Sequence, residues 1–470
     1  MTTIDCDLCI IGAGYAALNG LNAAAKYLPA GAHVVVIDRN ATWGGQWLHQ
    51  YDFVRLHQPY SRFTAGDQKW RMEVDAAHLA TRGEVLAHLG TVPAVSAGHL
   101  RITPLFAHEH VAHAAREGAV DVDVTPCAEG GTPVRVRAKR LLFGTGIDIH
   151  MLPPLALTSK RVRSVAVTDP VLASAELRES PAPVYVIGSG KTAMDTARHL
   201  LATRAGRPVR VITGSGMWFF HRENCYPRGL ARWTRGQTAG DLFQAMAEQF
   251  DGSNEAAVFD TFARAGWVHN VFGLGGNCRY ALLSAEERTD ILAGLDEVVR
   301  GHLVDVDGLR MTWREGGETR ETPVPEGTWF VNCTTHFRVV PHRPLLSDDG
   351  LVCAPQYALG FSGSSAYFLT HLWYRDALAR VAAEMSRVAV DLEPKLRFAP
   401  QLAVMVMGNI ARVAEKAPPS LFAKFEGDYG KWYPLPRQLT TLARLRLARA
   451  ALIRKSERLL PLRFSDAPAA

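Results

Sequence analysis

The sequence predicts an α/β fold with two similar domains, each opened by a glycine-rich turn between a strand and a helix. The two turns read Gly12-Ala13-Gly14-Tyr15-Ala16-Ala17 and Gly188-Ser189-Gly190-Lys191-Thr192-Ala193. Each follows a short apolar run and precedes a helix-compatible stretch, which is the context that the motif needs. In such a motif the first glycine makes the turn, the second lets backbone N–H groups approach a pyrophosphate, and the small last residue lets helix and strand pack closely. We therefore predict two Rossmann-like dinucleotide-binding domains, with a mainly helical insertion and a helical C-terminal tail.

The first glycine turn (residues 12–17) is followed by a second strand that ends in an acid. The apolar run 33–37 leads into Asp38 and Arg39, about twenty residues beyond the glycines. A carboxylate at that place holds the hydroxyls of an adenosine ribose. Asp38, with Arg39 beside it, is therefore a predicted cofactor-binding pair.

The second glycine turn (residues 188–193) lacks that acid. The next strand, 209–212, ends in Thr213-Gly214-Ser215. Without a carboxylate for the ribose, the 2′-phosphate of NADP is a plausible ligand, with Lys191 or Arg222 as its partner. A solvated surface charge explains either cation equally well, and NAD stays possible.

The segment Trp43-Gly44-Gly45-Gln46-Trp47, shortly after Asp38, is similar to a motif of a known class of enzymes. The chain resembles the two-dinucleotide flavoproteins, and within them the class B flavin monooxygenases. Those enzymes have a glycine turn for FAD, an acid after the second strand, a GGxW segment beside the flavin and a second glycine turn for NADPH. This sequence has each piece in that order, and the resemblance runs from about Cys6 to the Gly360 region.

The resemblance implies FAD and NADP as cofactors and names further flavin contacts. Thr145 and Gly146 match the segment that closes the FAD domain, and Gly363 and Ser364 match the segment that lies against the flavin. Together with Gly45, Gln46 and Trp47, they are the expected flavin-side residues.

Two residues are candidates for a catalytic role. In the family an asparagine near the flavin helps to hold the nicotinamide, and the best local match is His57. Gln58 is placed to hydrogen-bond the edge of the flavin ring. A lone histidine is more often a structural hydrogen-bonding residue, so both readings of His57 stay open.

The function that the resemblance implies is oxygen insertion. NAD(P)H reduces FAD, a C4a-(hydro)peroxyflavin forms, and one oxygen atom of O₂ passes to a small organic substrate by N- or S-oxygenation or a Baeyer–Villiger reaction. The family signature F-x-G-x-x-x-H is absent, since residues 160–170 contain neither the glycine nor the histidine. Two alternatives therefore stay open: an NAD(P)H-dependent flavin reductase or dehydrogenase with another electron acceptor, and a non-catalytic nucleotide-sensing protein.

The composition is that of a globular protein, with 470 residues, 47% apolar and 21% charged. The N-terminus has no signal-peptide pattern and no apolar run is long enough to span a membrane, so we expect a cytoplasmic protein. No metal site is predicted. The seven cysteines are scattered, and Cys6 and Cys9, although spaced C-x-x-C, are expected in the core of the first strand region.

The motifs suggest an order of domains. We expect a discontinuous FAD-binding domain, which resumes near Trp329 and comprises residues 1–150 and 330–400. An NAD(P)-binding domain would span 151–329, with a helical insertion at about 214–298 that serves either substrate specificity or packing. Residues 401–470 form a basic helical segment.

That segment is expected to be amphipathic, with interleaved leucines and arginines. It either packs on its own protein with the arginines in water, or contacts an anionic membrane surface or an acidic partner. An oligomer is possible. Nucleic-acid binding is not expected, because the formal net charge of +6 arises mostly from this tail.

Overall fold

The computed structural model describes residues 2–146, 148–203, 206–338, 342–389, 393–427 and 430–466. The strands are β1 Thr2–Cys6, β2 Leu8–Ile11, β3 His33–Asp38, β4 Arg101–Phe106, β5 His108–Arg116, β6 Ala119–Pro126, β7 Val134–Ala138, β8 Leu141–Phe143, β9 Asp148–Met151, β10 Arg163–Ala166, β11 Val184–Ile187, β12 Val209–Ile212, β13 Gly216–His221, β14 Val268–Gly275, β15 Cys278–Leu283, β16 Glu297–Val299, β17 His302–Asp307, β18 Arg310–Glu315, β19 Glu318–Pro323, β20 Trp329–Asn332, β21 Thr335–Arg338 and β22 Val352–Cys353.

The α-helices are α1 Tyr15–Ala24, α2 Arg82–Ser96, α3 Ala175–Glu179, α4 Lys191–Thr203, α5 Arg222–Cys225, α6 Ala231–Thr234, α7 Ala239–Gln249, α8 Glu255–Arg264, α9 Ala285–Gly294, α10 Ser362–Trp373, α11 Ala379–Ala382, α12 Phe398–Lys416, α13 Pro419–Lys424 and α14 Leu435–Leu459. Short 3₁₀ helices span Gly45–His49, Tyr60–Arg62, Pro170–Ala173, Lys395–Arg397 and Phe464–Asp466.

The first glycine turn leaves the middle of a parallel five-stranded sheet. Its strand order is β22-β8-β2-β3-β4, and every neighbouring pair runs parallel. Strand β2 is fully buried, as expected for a parallel sheet that is covered on both faces. Helix α1 follows the turn and packs against α10.

A second core lies between this sheet and the four-stranded sheet β1-β7-β6-β5. Cys6 and Cys9 are in this core, 7% and 0% exposed, and both are free thiols. Burial raises the pKa of the Cys6 thiol to about 12. The expectation that they are core cysteines is confirmed.

The second glycine turn leaves a second parallel sheet, of order β10-β20-β11-β12-β16. Here the structure differs from the expectation that the chain re-enters the first domain near Trp329. Strand β20 pairs in parallel with β11 and β10 in the second sheet, and the chain returns to the first sheet at β22. A short, fully buried apolar strand looks the same in sequence whichever parallel sheet receives it. The domain boundaries themselves stay predictions.

The insertion is mainly helical, with helices α5 to α9, but it also contains the three-stranded sheet β14-β13-β15. The sequence shows little strand pattern there. Helix α9 begins at a capping box in which Ser284 and Glu287 each bond the other's backbone N–H, as its Ser-x-x-Glu pattern predicts.

The C-terminal segment forms helices, as expected. Helix α14 packs along α12 and the insertion helix α7, so one of its faces is held on its own protein. Among the described residues, no helix is both long and apolar enough to cross a membrane.

Candidate dinucleotide-binding site

Four chain segments far apart in sequence meet at the first turn of α1. An added Cβ at Gly12 would lie 2.7 Å from the Gly144 carbonyl oxygen, and one at Gly45 would lie 2.6 Å from the Gly14 Cα. A Cβ at Gly363 would strike the Tyr15 ring. The first glycine turn, the GGxW segment, the 144–146 segment and the start of α10 therefore converge, as the sequence predicts for residues that hold one ligand.

Two helix N-termini lie at this point. Gly146 lies beside Ser362, and Tyr15 beside Gly363, so the first turns of α1 and α10 are adjacent. The free N–H groups and positive dipole end of each helix favour an anion there. The Ser364 hydroxyl donates to the Phe361 carbonyl within the first turn of α10, and Thr145 is exposed at the rim.

Asp38 holds the glycine turn itself. Its Oδ2 accepts the Ala13 N–H at 2.6 Å, and its Oδ1 accepts both the backbone and the side-chain N–H of Asn40 at 2.8 Å. A carboxylate has about four acceptor positions, so these three bonds leave room for one further donor. Arg39 is exposed beside it.

Arg82 fixes the backbone of the GGxW segment. The Arg82 guanidinium donates to the carbonyls of Trp47 and Leu48 at 3.1 and 2.6 Å. Trp47 is 8% exposed, and its Nε1 is a buried donor without a partner among the described residues. A buried donor is rarely left unsatisfied in a native protein, so this atom indicates a missing acceptor. Gln46, next to Trp47, is exposed.

His57 is held at both its backbone and its ring. Its Nδ1 accepts the backbone N–H of Leu282 at 2.9 Å, and its carbonyl accepts Nε of Arg222 at 2.8 Å. Burial, together with the charges of Lys191 and Arg222, lowers the pKa of His57 to about 3. The ring is therefore neutral at pH 7, and because Nδ1 accepts, the proton resides on Nε2. His57 thus cannot serve as a general acid at neutral pH.

Gln58 follows His57 and, like Trp47, has a buried polar atom without a hydrogen-bond partner among the described residues. Its Oε1 is buried and has no hydrogen-bond donor in the described part of the chain.

The second glycine turn lies at the carboxyl end of its sheet. Gly188 has φ of +118°, and a Cβ there would touch the Cys333 carbonyl that follows β20. Gly190 lies beside Met217 of β13. Ala193 is fully buried, and the Thr192 carbonyl accepts the Thr196 hydroxyl inside α4. Lys191 forms an ion pair with Asp195 one helical turn later.

Arg222, a predicted phosphate partner, is engaged in an ion pair with Glu287 at 2.6 Å. The side chains are 14% and 7% exposed. Burial alone would raise the pKa of Glu287, but the nearby charges of Arg222 and Lys191 outweigh it, so that pKa is lowered. Arg198 donates to the other Glu287 oxygen at 3.0 Å. The cations predicted to bind a phosphate thus already have acidic partners.

Residues 47–58 connect the two glycine turns. At one end Trp47 belongs to the segment on the first turn. Further along, Tyr51 donates to Asp195 of α4 at 2.9 Å, and the Phe53 ring stacks on His199 with centroids 4.2 Å apart. His57 at the far end contacts β15 and Arg222. This connecting segment therefore lies between the two predicted nucleotide sites.

A cavity of about 230 Å³ opens between the connecting segment and α4. Its lining residues are Phe53, Arg55, Leu56, Leu79, Lys191, Asp195, Arg198, His199, Ala202 and Glu287. This volume is below the range of typical small-molecule pockets, so the cavity can accept a part of a nucleotide only.

Sequence reasoning missed several residues of this region. Tyr51, Arg82 and Glu287 tie the segments together, and only Glu287 gave a local signal, through its capping box. Arg300 was missed as well. It follows β16, whose last residue pairs with the end of β12, and it is exposed near the Gly214 turn where an acid is lacking. Ligands of parallel sheets bind at this edge.

The residues fit a dinucleotide at the first site. The glycine contacts leave no room for side chains, the first turns of α1 and α10 are adjacent, and Trp47 Nε1 has no partner among the described residues. These groups offer donors for a pyrophosphate and polar contacts for a ring system.

Comparisons with known proteins agree with this geometry. Residues 6–220 match the sequence model of the family described as pyridine nucleotide-disulphide oxidoreductase. No curated protein sequence matches the chain.

Solved structures share the fold. A steroid monooxygenase bound to NADP aligns with a TM-score of 0.51 and 15% identity, covering 81% of this chain and 86% of the other. An open structure of cyclohexanone monooxygenase gives 0.50 and 14%, with 86% and 98% covered. A bacillithiol disulfide reductase from Bacillus cereus gives 0.46 and 14%, with 80% and 99% covered.

The predicted fold class is confirmed by these structures and by the two parallel sheets. The steroid monooxygenase with this fold is bound to NADP, and FAD and NADP stay the predicted cofactors of this chain. The roles of individual residues stay predictions. Residues 6–220 are thus similar in sequence to the pyridine nucleotide-disulphide oxidoreductases, and the chain has the fold of the two monooxygenases.

Proposed function

We propose that the protein is an NAD(P)H-consuming, FAD-dependent monooxygenase of small organic substrates. The observation that carries this proposal is the connecting segment 47–58. It contacts the first glycine turn through the GGxW segment and the second through Tyr51 and Asp195. Two nucleotides that exchange a hydride must lie face to face, and one segment in contact with both sites suits that requirement.

The first site would hold FAD through backbone groups and a few side chains. At Gly12, Gly14 and Gly45 the protein backbone can approach the pyrophosphate closely because no side chain intervenes. The first turns of α1 and α10 supply N–H donors. Asp38 has one acceptor position left for a ribose hydroxyl. Trp47 Nε1 would donate to the cofactor. Bound flavin supplies the electron transfer from nicotinamide and the activation of O₂.

The second site would hold NADP through the turn 188–193 and nearby cations. Lys191 and Arg222 each form an ion pair with an acidic residue. They would therefore hold neighbouring side chains in position and make the electrostatic potential of the site less negative. Arg300, at the end of β16, is the better candidate for the 2′-phosphate because it is exposed at the sheet edge that lacks an acid.

His57 would act as a neutral hydrogen-bond donor. Its Nδ1 is occupied by the Leu282 N–H, so Nε2–H is the group that remains to donate. Arg222 and Leu282 fix its orientation, which gives a preorganised donor.

The overall reaction balances as substrate, O₂, NAD(P)H and a proton giving oxygenated substrate, water and NAD(P)⁺. The test is to incubate the purified yellow protein with NADPH and ¹⁸O₂ and probe amines, sulfides and ketones. Incorporation of one ¹⁸O atom per NADPH consumed would support the proposal. Stoichiometric release of hydrogen peroxide with every probe would contradict it.

A reductase with a non-oxygen acceptor is the competing outcome, and the missing F-x-G-x-x-x-H signature favours it. It predicts fast anaerobic electron transfer from NADPH to a quinone and slow reoxidation by O₂. A dithiol-dependent reductase is disfavoured, because Cys333, the cysteine beside the second glycine turn, is buried and its pKa is raised to about 12 by burial.

A further inference from the structure

Helix α14 concentrates the positive charge of the whole protein. Its 25 residues contain seven arginine and lysine side chains and one glutamate. The resulting net charge of +6 equals the formal net charge of the entire chain. All other residues together are therefore electrically balanced, and an anionic partner would be drawn to this helix first.

The helix has a protein side and a solvent side. On the protein side Leu452 and Ser456 are buried, and the Ser456 hydroxyl accepts from Arg412 of α12 at 3.1 Å. On the solvent side lie four exposed leucines: Leu435, Leu439, Leu442 and Leu447, with exposed fractions of 63%, 55%, 43% and 88%. The first three are spaced i, i+4 and i+7, so they lie on one helix face.

Three arginines share this exposed side without an acid. Arg446, Arg454 and Arg458 are exposed and have no ion-pair partner among the described residues. By contrast, Arg444 pairs with Asp241 and Arg449 with Glu415, at 3.4 and 3.3 Å. We call the four leucines and these three arginines the leucine–arginine face.

A second exposed apolar element adjoins the start of this helix. Leu230 and Trp233, near α6, are 85% and 57% exposed. Arg437 in the first turn of α14 donates to the carbonyls of Arg232 and Gly236, which fixes this element against the helix. Exposed tryptophan and leucine beside arginine are typical of surfaces that enter a membrane interface.

We propose that the leucine–arginine face docks on the surface of an anionic lipid bilayer. The leucines enter the boundary between headgroups and acyl chains, and the unpaired arginines contact lipid phosphates. A second copy of the chain is a poorer occupant, because two α14 helices, each of net charge +6, repel each other. A nucleic acid would leave the leucines in water. This docking does not depend on the proposed oxygenase activity.

The test is co-sedimentation of the full-length holoprotein with vesicles, in the absence of NADPH. We expect binding to phosphatidylcholine vesicles that contain phosphatidylserine, weak binding to pure phosphatidylcholine, and loss of binding as salt rises. The triple variant Arg446→Gln, Arg454→Gln, Arg458→Gln should bind the anionic vesicles on the order of 100-fold more weakly, at roughly fivefold for each charge. The pair Leu439→Ser, Leu447→Ser should also weaken binding.

Matched controls separate this face from general charge and apolarity. The variant Arg101→Gln, Arg116→Gln, Arg380→Gln removes three exposed arginines elsewhere, and Val111→Ser removes an exposed apolar side chain on β5. Both should bind like the unmodified protein. Equal binding to neutral and anionic vesicles, or an unaffected arginine triple variant, would overturn the proposal. So would a concentration-dependent dimer that the leucine pair abolishes, since that result would assign the face to a second copy.

Discussion

Arg222 and Glu287 form a buried ion pair, 2.6 Å apart, that joins the two halves of the candidate site. Glu287 caps helix α9, while Arg222 also donates to the His57 carbonyl on the connecting segment. One pair of charges thus fixes an insertion helix and the segment that lies between the two glycine turns.

Breaking this pair should destabilise the protein strongly. In Glu287→Gln the Arg222 guanidinium stays buried without its counter-charge, which costs about 3 kcal/mol of unfolding free energy or more. Urea unfolding of the holoprotein measures this. Glu286→Gln, an exposed neighbour in the same helix turn, should change stability by less than about 0.5 kcal/mol. A Glu287→Gln variant as stable as the Glu286→Gln variant would show that the pair contributes nothing.

His57 predicts a pH effect with a definite sign. The unfolded chain binds a proton at His57 near pH 6.5, whereas the folded chain does not until about pH 3. Between these values the unfolded state binds more protons, so stability falls as pH falls through this window. His57→Asn, whose amide oxygen can replace Nδ1 as acceptor for the Leu282 N–H, should show a shallower loss between pH 6.5 and pH 4.

The protonation state of His57 also leads to a prediction about the rate of flavin reduction. Because His57 stays neutral at pH 7, it should contribute no ionisation near pH 6.5 to the pH profile of the flavin-reduction rate. The profiles of the unmodified protein and of His57→Asn should therefore agree in this range. His57→Ala leaves the Leu282 N–H unpaired and should be less stable than His57→Asn by about 1–3 kcal/mol. An ionisation near 6.5 that His57→Asn removes would make His57 an acid–base catalyst.

A substitution at Gly45 tests whether the first site binds flavin, and a substitution at Gly31 is its control. Gly45 has φ of +55°, and a Cβ there would lie 2.6 Å from the Gly14 Cα. Gly31 has φ of +77° with nothing within 4 Å of its Cβ position. Gly31→Ala therefore measures backbone strain alone, about 1 kcal/mol, while Gly45→Ala also separates the two segments. We expect Gly45→Ala to lose flavin, measured as the FAD content of purified protein, and Gly31→Ala to retain it.

The sequence predicted what depends on local geometry and missed what depends on distant pairing. Gly12, Gly14 and Gly45 could be found because a turn or a close approach excludes side chains at each place. The sheet that receives Trp329–Asn332 could not, since a buried parallel strand has no local mark of its neighbours. Arg222 was noticed as a cation, but its partner Glu287 lies 65 residues away in sequence.

Arg300 is our candidate for recognition of the 2′-phosphate of NADPH. It follows β16 at the sheet edge where β12 ends without an acid, and a charged hydrogen bond to a phosphate contributes about 1.5–3 kcal/mol. Arg300→Ala should therefore raise the KM for NADPH by roughly 10- to 100-fold and leave the KM for NADH nearly unchanged. Steady-state NAD(P)H oxidation with both nucleotides measures this. Arg264→Ala, which removes an exposed arginine on α8, should affect neither value. Equal increases for NADH and NADPH would mean that Arg300 supports the nucleotide site generally and that the phosphate is held elsewhere, with Arg222 or Lys191 the next residues to test.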